Sequence, residues 1–332
     1  MITSTDAAKA VPAPSSSTVV DAAVATSVPS VPSTVGDAVV VGAEVPTPVA
    51  SRSTKVLFDS NRTGNYEVFT MDLTTGVVTQ LTSDPAYDSW WARISPSGTE
   101  MIFNRTPAGL HDTDYSKVSL WKANIDGSNA RQIIANQAHG WVIQGHAEWS
   151  PDGTELVMYG GHAIWVTDAD GNLLHPVTNG IDPIWSRDGS RIIYVKCANA
   201  PWCTPGTHQL ASIAPDGSSP RDLTPVLPQL SANDPTMSPD GTTITWEASI
   251  SLLRWDLMAV DSDGTNLRTL FTDDWTNTNP VWTPDGTRIV FFKNKPFHEI
   301  NIWSIRPDGT DLTLVTQGQP GINEMPDVAP VT

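Results

Sequence analysis

Residues suited to cation chemistry recur at one position of a repeated phrase. The phrase reads WSPDGTELVMYG from Trp149, WSRDGSRIIYVK from Trp185, MSPDGTTITWEA from Met237 and WTPDGTRIVFFK from Trp282, with a weaker copy, ISPSGTEMIFNR, from Ile94. Four residues before the Ser or Thr of each copy stand His146, Asp182, Asp234, Asn279 and, for the weaker copy, Trp91. Met325 holds the same place in a degenerate copy at the carboxy end, with Glu324 beside it, and Asn233 precedes Asp234. An imidazole among carboxylates suits a divalent metal or an organic cation. His146, Asp182 and Asp234 are therefore the candidate metal ligands. Trp91, Asn233, Asn279 and Glu324 complete a candidate binding mouth. The same residue types also suit the polar lining of a water-filled channel, and spacing alone does not separate the two readings.

The phrase itself is a hairpin. A short strand runs into Ser-Pro-Asp-Gly or a variant, and an apolar strand such as RIVFF follows. Pro presets φ, Asp bonds its own backbone and Gly accepts positive φ. Each phrase is followed by a second strand–turn–strand segment, such as AIWVTDADGNLLHPVT. Each unit is thus four antiparallel strands, A to D, and such units repeated along a chain predict a β-propeller. B-C-D groups begin near Lys55, Glu100, Glu155, Ser190, Thr243 and Arg288, and A strands end at Ser95, Ser150, Ser186, Ser238, Thr283 and Ala329. The first group lacks an A strand and the last A strand lacks a group. Pairing the two predicts an all-β, six-bladed propeller closed by the carboxy-terminal strand, which removes two open sheet edges.

In this plan the A-B and C-D turns share one rim, and the B-C loops and D-A links share the other. The irregular loops fall on the second rim. They carry Trp90, His111, His139, Trp141, Trp202, Trp255, Trp275 and His298 as candidate contacts to a sugar ring or a protein anchor. DADGN from Asp168 and DSDGTN from Asp261 imitate the start of a calcium loop but lack its terminal Glu, and they read as C-D turns. No G-x-S-x-G elbow or phosphate-binding loop is present, and no catalytic residue stands out.

Composition bounds the rest. The net charge of -17 argues against nucleic acid and anionic membrane surfaces as partners. Residues 1–52, nearly all Ala, Val, Ser, Thr and Pro, read as a disordered linker or stalk, and residues 53–332 as the propeller. Cys197 and Cys203 in KCANAPWCT suit a disulfide across a loop and an oxidising compartment. No signal peptide is visible, and no apolar run is long enough to span a membrane.

VLFDSNRTGNYEVFTMDLTTG and the repeated W-S-P-D-G-T-x-I/L-x-F/Y resemble the TolB-type propeller, also called PD40 or WD40-like repeats, over residues 55–330. No unit ends in the Trp-Asp of true WD repeats, and the α/β domain that precedes the TolB propeller is replaced by the low-complexity segment. The resemblance implies a monomeric, periplasmic or secreted, non-enzymatic binding or scaffold module. Its partner would be a protein or cell-envelope component, as peptidoglycan-associated lipoprotein is for TolB. No cofactor follows from it beyond a divalent cation at the mouth. The superfamily also includes oligogalacturonate-lyase-type propellers, seven-bladed, with a metal at a His-rich mouth. That likeness implies the alternative of a metal-dependent polysaccharide lyase using His146, His139 and His111 with Asp182 and Asp234. A third reading is a glycan-binding module using the Trp-rich rim.

Overall fold

The computed structural model describes residues 55–197, 207–226, 231–251, 254–294 and 300–329. They form strands with two single 3-10 turns, at Tyr115–Lys117 and Ala138–Gly140. No helix among them is long and apolar enough to cross a membrane.

The first sheet has the order β24-β1-β2-β3: β1 (Lys55–Ser60), β2 (Glu67–Asp72), β3 (Val78–Gln80) and the last strand, β24 (Asn323–Val328). The second is β4 (Tyr87–Ile94), β5 (Glu100–Pro107), β6 (Ser119–Asn124) and β7 (Arg131–Ile134). The third is β8 (Gln144–Trp149), β9 (Glu155–Gly160), β10 (Ala163–Asp168) and β11 (Leu173–Asn179). The fourth is β12 (Ile181–Trp185), β13 (Ile192–Cys197), β14 (His208–Ile213) and β15 (Arg221–Asp222). Two further sets follow the same antiparallel plan. One is β16 (Ala232–Met237), β17 (Thr243–Ser251), β18 (Arg254–Asp261) and β19 (Arg268–Phe271); the other is β20 (Thr276–Trp282), β21 (Ile289–Asn294), β22 (Asn301–Ile305) and β23 (Thr313–Leu314).

These last two sets are joined. Trp255 on β18 pairs in parallel with Thr276 on β20, and the Asn277 side chain donates to the Trp255 carbonyl at 3.0 Å. The strands therefore sort into four four-stranded sheets and one eight-stranded sheet, not the six separate sheets expected from the repeat. The join is local: it rests on this one parallel pair and the Asn277 side chain, at the starts of both strands. The expected role of the carboxy-terminal strand is present: β24 pairs with β1 in the antiparallel register Val56–Val328, Leu57–Asp327, Asp59–Glu324 and Ser60–Asn323.

The repeated phrase makes the hairpin turn its residues predict. In the β8–β9 turn, Ser150 Oγ donates to Asp152 Oδ1 at 2.7 Å, and Asp152 Oδ1 accepts the Thr154 amide at 3.0 Å. Ser150 Oγ also accepts the Glu155 amide at 2.9 Å, while Gly153 turns the chain at φ 73°. Successive turns stack: Gly153 faces Pro96, Gly189 faces Pro151, Gly241 faces Arg187 and Gly286 faces Pro239. The C-D turns from the second sheet onward also lean on the preceding sheet. Gly127 meets the Leu81 carbonyl, Gly171 that of Ile133, Gly217 that of Val177, Gly264 that of Leu223 and Gly309 that of Leu270. Asp168, in the calcium-loop look-alike, caps its own turn: Oδ1 accepts the amides of Asp170 and Asn172, each at 2.9 Å. Between sheets the core is aliphatic and aromatic, with Trp90, Phe58, Phe103 and Phe291 fully buried. Hydrophobic burial there offsets the ordering of many short strands.

Candidate binding site at the mouth of the central cavity

Six strands that begin the repeats surround one cavity of about 400 Å³, lined from β4, β8, β12, β16, β20 and the end of β24. Each of these strands carries one residue in the left-handed backbone region. They are Trp91 (φ 54°), His146 (49°), Asp182 (48°), Asp234 (48°), Asn279 (49°) and Met325 (49°). Each also interrupts the register of its hairpin as a β-bulge does, between Trp90 and Arg93 on β4 and between Gly145 and Glu148 on β8, for instance. A bulge places an unpaired residue in the strand and re-aims its side chain. Pro183, Pro235, Pro280 and Pro326 follow four of these residues, where the missing N–H costs no ladder bond. The strained backbone thus repeats at the positions picked out by spacing, and all but Met325, which is buried in the core, line the cavity.

Three of them meet. His146 Nδ1 lies 2.5 Å from Asp182 Oδ1 and 3.6 Å from Asp234 Oδ1. Asn279 donates to Asp234 Oδ2 at 2.6 Å, and its amide donates to Glu247 Oε2 at 2.8 Å. Trp91 stacks flat on the imidazole, with centroids 4.0 Å apart and planes 8° apart. On the far side of the ring, His146 Nε2 is 3.0 Å from the Tyr115 hydroxyl, which donates to Asp112 Oδ1 at 2.5 Å. With its own proton committed to Asp112, the Tyr115 oxygen accepts from Nε2–H, which leaves Nδ1 toward the carboxylates.

The electrostatics follow from burial and crowding. Burial alone would lower the pKa of His146, but Asp182 and then Asp234 reverse this and hold it at about 9. Asp234 is pushed up to about 7 by burial and by the Asp182 charge. Glu247 is pushed well above the usual carboxylate range by burial and by Asp234. The cluster therefore keeps protons that a metal or an organic cation would replace.

The donor set fits such an ion. His146, Asp182 and Asp234 offer ligand atoms all within 4.8 Å of one another. Asp234 Oδ1 is buried without a hydrogen-bond partner. The hydrogen bond to the second ring nitrogen is the outer support that metal-binding imidazoles have. Elsewhere on the cavity wall, Arg93 is tied to Glu148 at 2.5 Å and lies over the Trp91 ring at 4.0 Å, and Arg187 and Asp327 also line the wall. Arg93 is thus buried and engaged.

Several expected contacts lie elsewhere. Glu324 does not join His146; it packs with His111 and Asp59, since its cross-strand partner on β1 is Asp59. Asn233 is half-buried beside Glu247. Trp90 is fully buried, with its indole N–H donating to Thr106 at 3.2 Å, so it presents no face on a rim. Trp141 is buried as well, because Gly160 and Gly161 leave room for its indole beside Trp165. His111 is nearly enclosed, stacked on Tyr66 at 3.6 Å. Trp255 and Trp275 are half-buried and His139 is exposed. Trp202, His298 and Cys203 lie outside the described residues, so the disulfide expected with Cys197 does too.

Asp59, Tyr159 and Glu247 were not singled out from sequence. They occupy equivalent positions of the second strand of each unit, directly after Phe58, Met158 and Trp246. The corresponding residues Asn104, Val195 and Phe292 are buried too, so a carboxylate in an otherwise buried slot was the available signal.

No protein-family model matches the chain. Among curated proteins it is similar to an uncharacterized protein of Agrobacterium fabrum, 29% identical over 102 residues, or 30% of this chain and only 34% of that protein's own length. Among solved structures it is similar to TolB from Acinetobacter baumannii, with TM-score 0.66 and 16% identity over 84% of this chain and 67% of that one. It is similar also to a putative TolB from Agrobacterium tumefaciens, with TM-score 0.59 and 16% identity over 80% and 89% of the two chains. An oligogalacturonate lyase in complex with manganese gives TM-score 0.53 and 16% identity over 78% and 72%. At these identities the likeness is one of fold. The class is an all-β propeller of antiparallel four-stranded sheets. Within that class the fold is TolB-like.

Proposed function

We propose that this chain is a non-enzymatic, extracytoplasmic binding propeller of six blades closed by β24. It engages a protein or cell-envelope partner on the rim that carries the cavity mouth. The mouth holds a divalent cation on His146, Asp182 and Asp234. One observation carries the reading: a bulge repeated in every first strand concentrates carboxylates around a stacked, doubly hydrogen-bonded imidazole at an open cavity. Fold alone does not give function, so the reading rests on this site. The TolB likeness adds an analogy to partner binding. A bound ion would supply positive charge for an acidic group of the partner.

The test is retention of envelope components by the immobilised full chain, compared with His146→Ala and Asp234→Ala. A component held by the parent and lost by both variants supports the reading. Identical retention by all three would remove the mouth from it.

A metal-dependent polysaccharide lyase is the second reading. The same three ligands and the likeness to a manganese-bound oligogalacturonate lyase favour it. Against it, Arg93 is tied to Glu148, and a strongly acidic chain repels polyuronates. Incubation with oligogalacturonate and Mn²⁺ should give no unsaturated product; its appearance would put the lyase ahead.

A further inference from the structure

We propose that Asp59, His111 and Glu324 form a second site for a divalent metal ion such as Mn²⁺, separate from the His146 cluster. Asp59 on β1 and Glu324 on β24 are direct cross-strand partners. Like charges placed so are destabilising unless something lies between them. His111 comes down from the β5–β6 loop to these two. Its Nε2 is 2.8 Å from Asp59 Oδ2, and its Nδ1 is 3.8 Å from Glu324 Oε1. The three offer ligand atoms within 4.8 Å of one another, and the Asp59 side chain has 0% exposure.

Two observations go beyond a gathering of acids. First, Asp59 Oδ1 is buried with no side-chain partner, only the Trp91 backbone amide near the carboxylate, although the other oxygen is bonded to His111. A buried carboxylate oxygen so sparsely partnered leaves much of its desolvation cost unmet unless a cation meets it. Among the described residues, no Lys or Arg nitrogen bonds any of the three, so one imidazole faces two carboxylates. Second, the loop is fastened where it delivers His111. Asp88 Oδ2 accepts the amides of Gly109 at 2.7 Å and His111 at 3.1 Å. Tyr66 stacks on the imidazole with planes 12° apart, which fixes the ring as an outer shell fixes a ligand. One imidazole and two carboxylates suit Mn²⁺ or Zn²⁺.

The site is a clamp on the mouth. The residue after His111 is Asp112, which holds the Tyr115 hydroxyl that holds His146. An ion that anchors His111 therefore anchors the loop that orients His146.

The inference does not rest on the proposed function, and its test separates the two. The full chain is stripped with chelator and titrated with Mn²⁺ alone, and folding of each variant is checked by circular dichroism. Asp182→Asn should lose the mouth ion and still bind one equivalent. Adding Glu324→Gln should abolish that equivalent. If Glu324→Gln, folded as the parent is, removes no Mn²⁺ from either background, the second site is wrong whatever the mouth does. If Glu324→Gln does not fold, crystals of the parent soaked in saturating Mn²⁺ decide it. An anomalous peak among Asp59, His111 and Glu324 supports the site, and its absence overturns it.

Discussion

Two glycines in equivalent turns test how one sheet rests on the next. Gly127 and Gly76 both turn a third strand into a fourth, at φ +83° and +70°. A Cβ on Gly127 would lie 1.9 Å from the Leu81 carbonyl oxygen and 2.8 Å from its carbon, whereas one on Gly76 would meet nothing within 4 Å. Both alanine variants carry the left-handed backbone cost of about 1–2 kcal/mol. Gly127→Ala must also displace a backbone carbonyl, and overpacking of that kind adds about 1–3 kcal/mol. Gly127→Ala should therefore lose about 2–5 kcal/mol and Gly76→Ala about 1–2 kcal/mol. At roughly 2–4 °C per kcal/mol the melting temperatures should separate clearly. Urea unfolding of the two variants beside the parent is the assay. Equal losses would refute the claim that the Gly127 turn is built onto the preceding sheet.

Removal of residues 323–329 should be far more damaging than removal of 1–50. It strips Met325 and Val328 from the core at about 1.5–3 kcal/mol each, and it leaves the Ile94 amide without Asp327. Limited proteolysis checks it, and unchanged protease resistance would refute closure by β24. The stability of the metal-free protein should fall as pH rises. His146 is raised from 6.5 to about 9, so its contribution is complete below about 6.5 and is lost as pH passes 9. Asp234, raised from 3.8 to about 7, acts with the same sign, its contribution being lost as pH rises through 7. Melting temperatures in chelator from pH 6 to pH 9.5 measure the slope, which His146→Gln should flatten.

The strand plan was legible because the turns are written in residues with few other uses: Ser-Pro-Asp-Gly fixes each first hairpin. The same regularity marked Trp91, His146, Asp182, Asp234, Asn279 and Met325, and all six share one backbone conformation. Pairings across long sequence distances were less legible. Glu324 was grouped with His146 because its place in the repeat is similar, but β24 pairs with β1 and delivers it to Asp59. Tyr115 and Asp112 lie in an irregular loop whose path no local pattern dictates. The rim tryptophans misled for a different reason. An indole in a loop reads as exposed, yet Trp90 and Trp141 fill space that glycines and neighbouring sheets leave for them.

The most direct test of the mouth is its metal content. The full chain, purified without chelators or a His tag and then equilibrated with Mn²⁺, Zn²⁺ and Ca²⁺ in turn, is assayed by elemental mass spectrometry beside His146→Ala. The account predicts bound divalent metal in the parent and one equivalent fewer in the variant. Equal metal in both, or none in the parent, would contradict it.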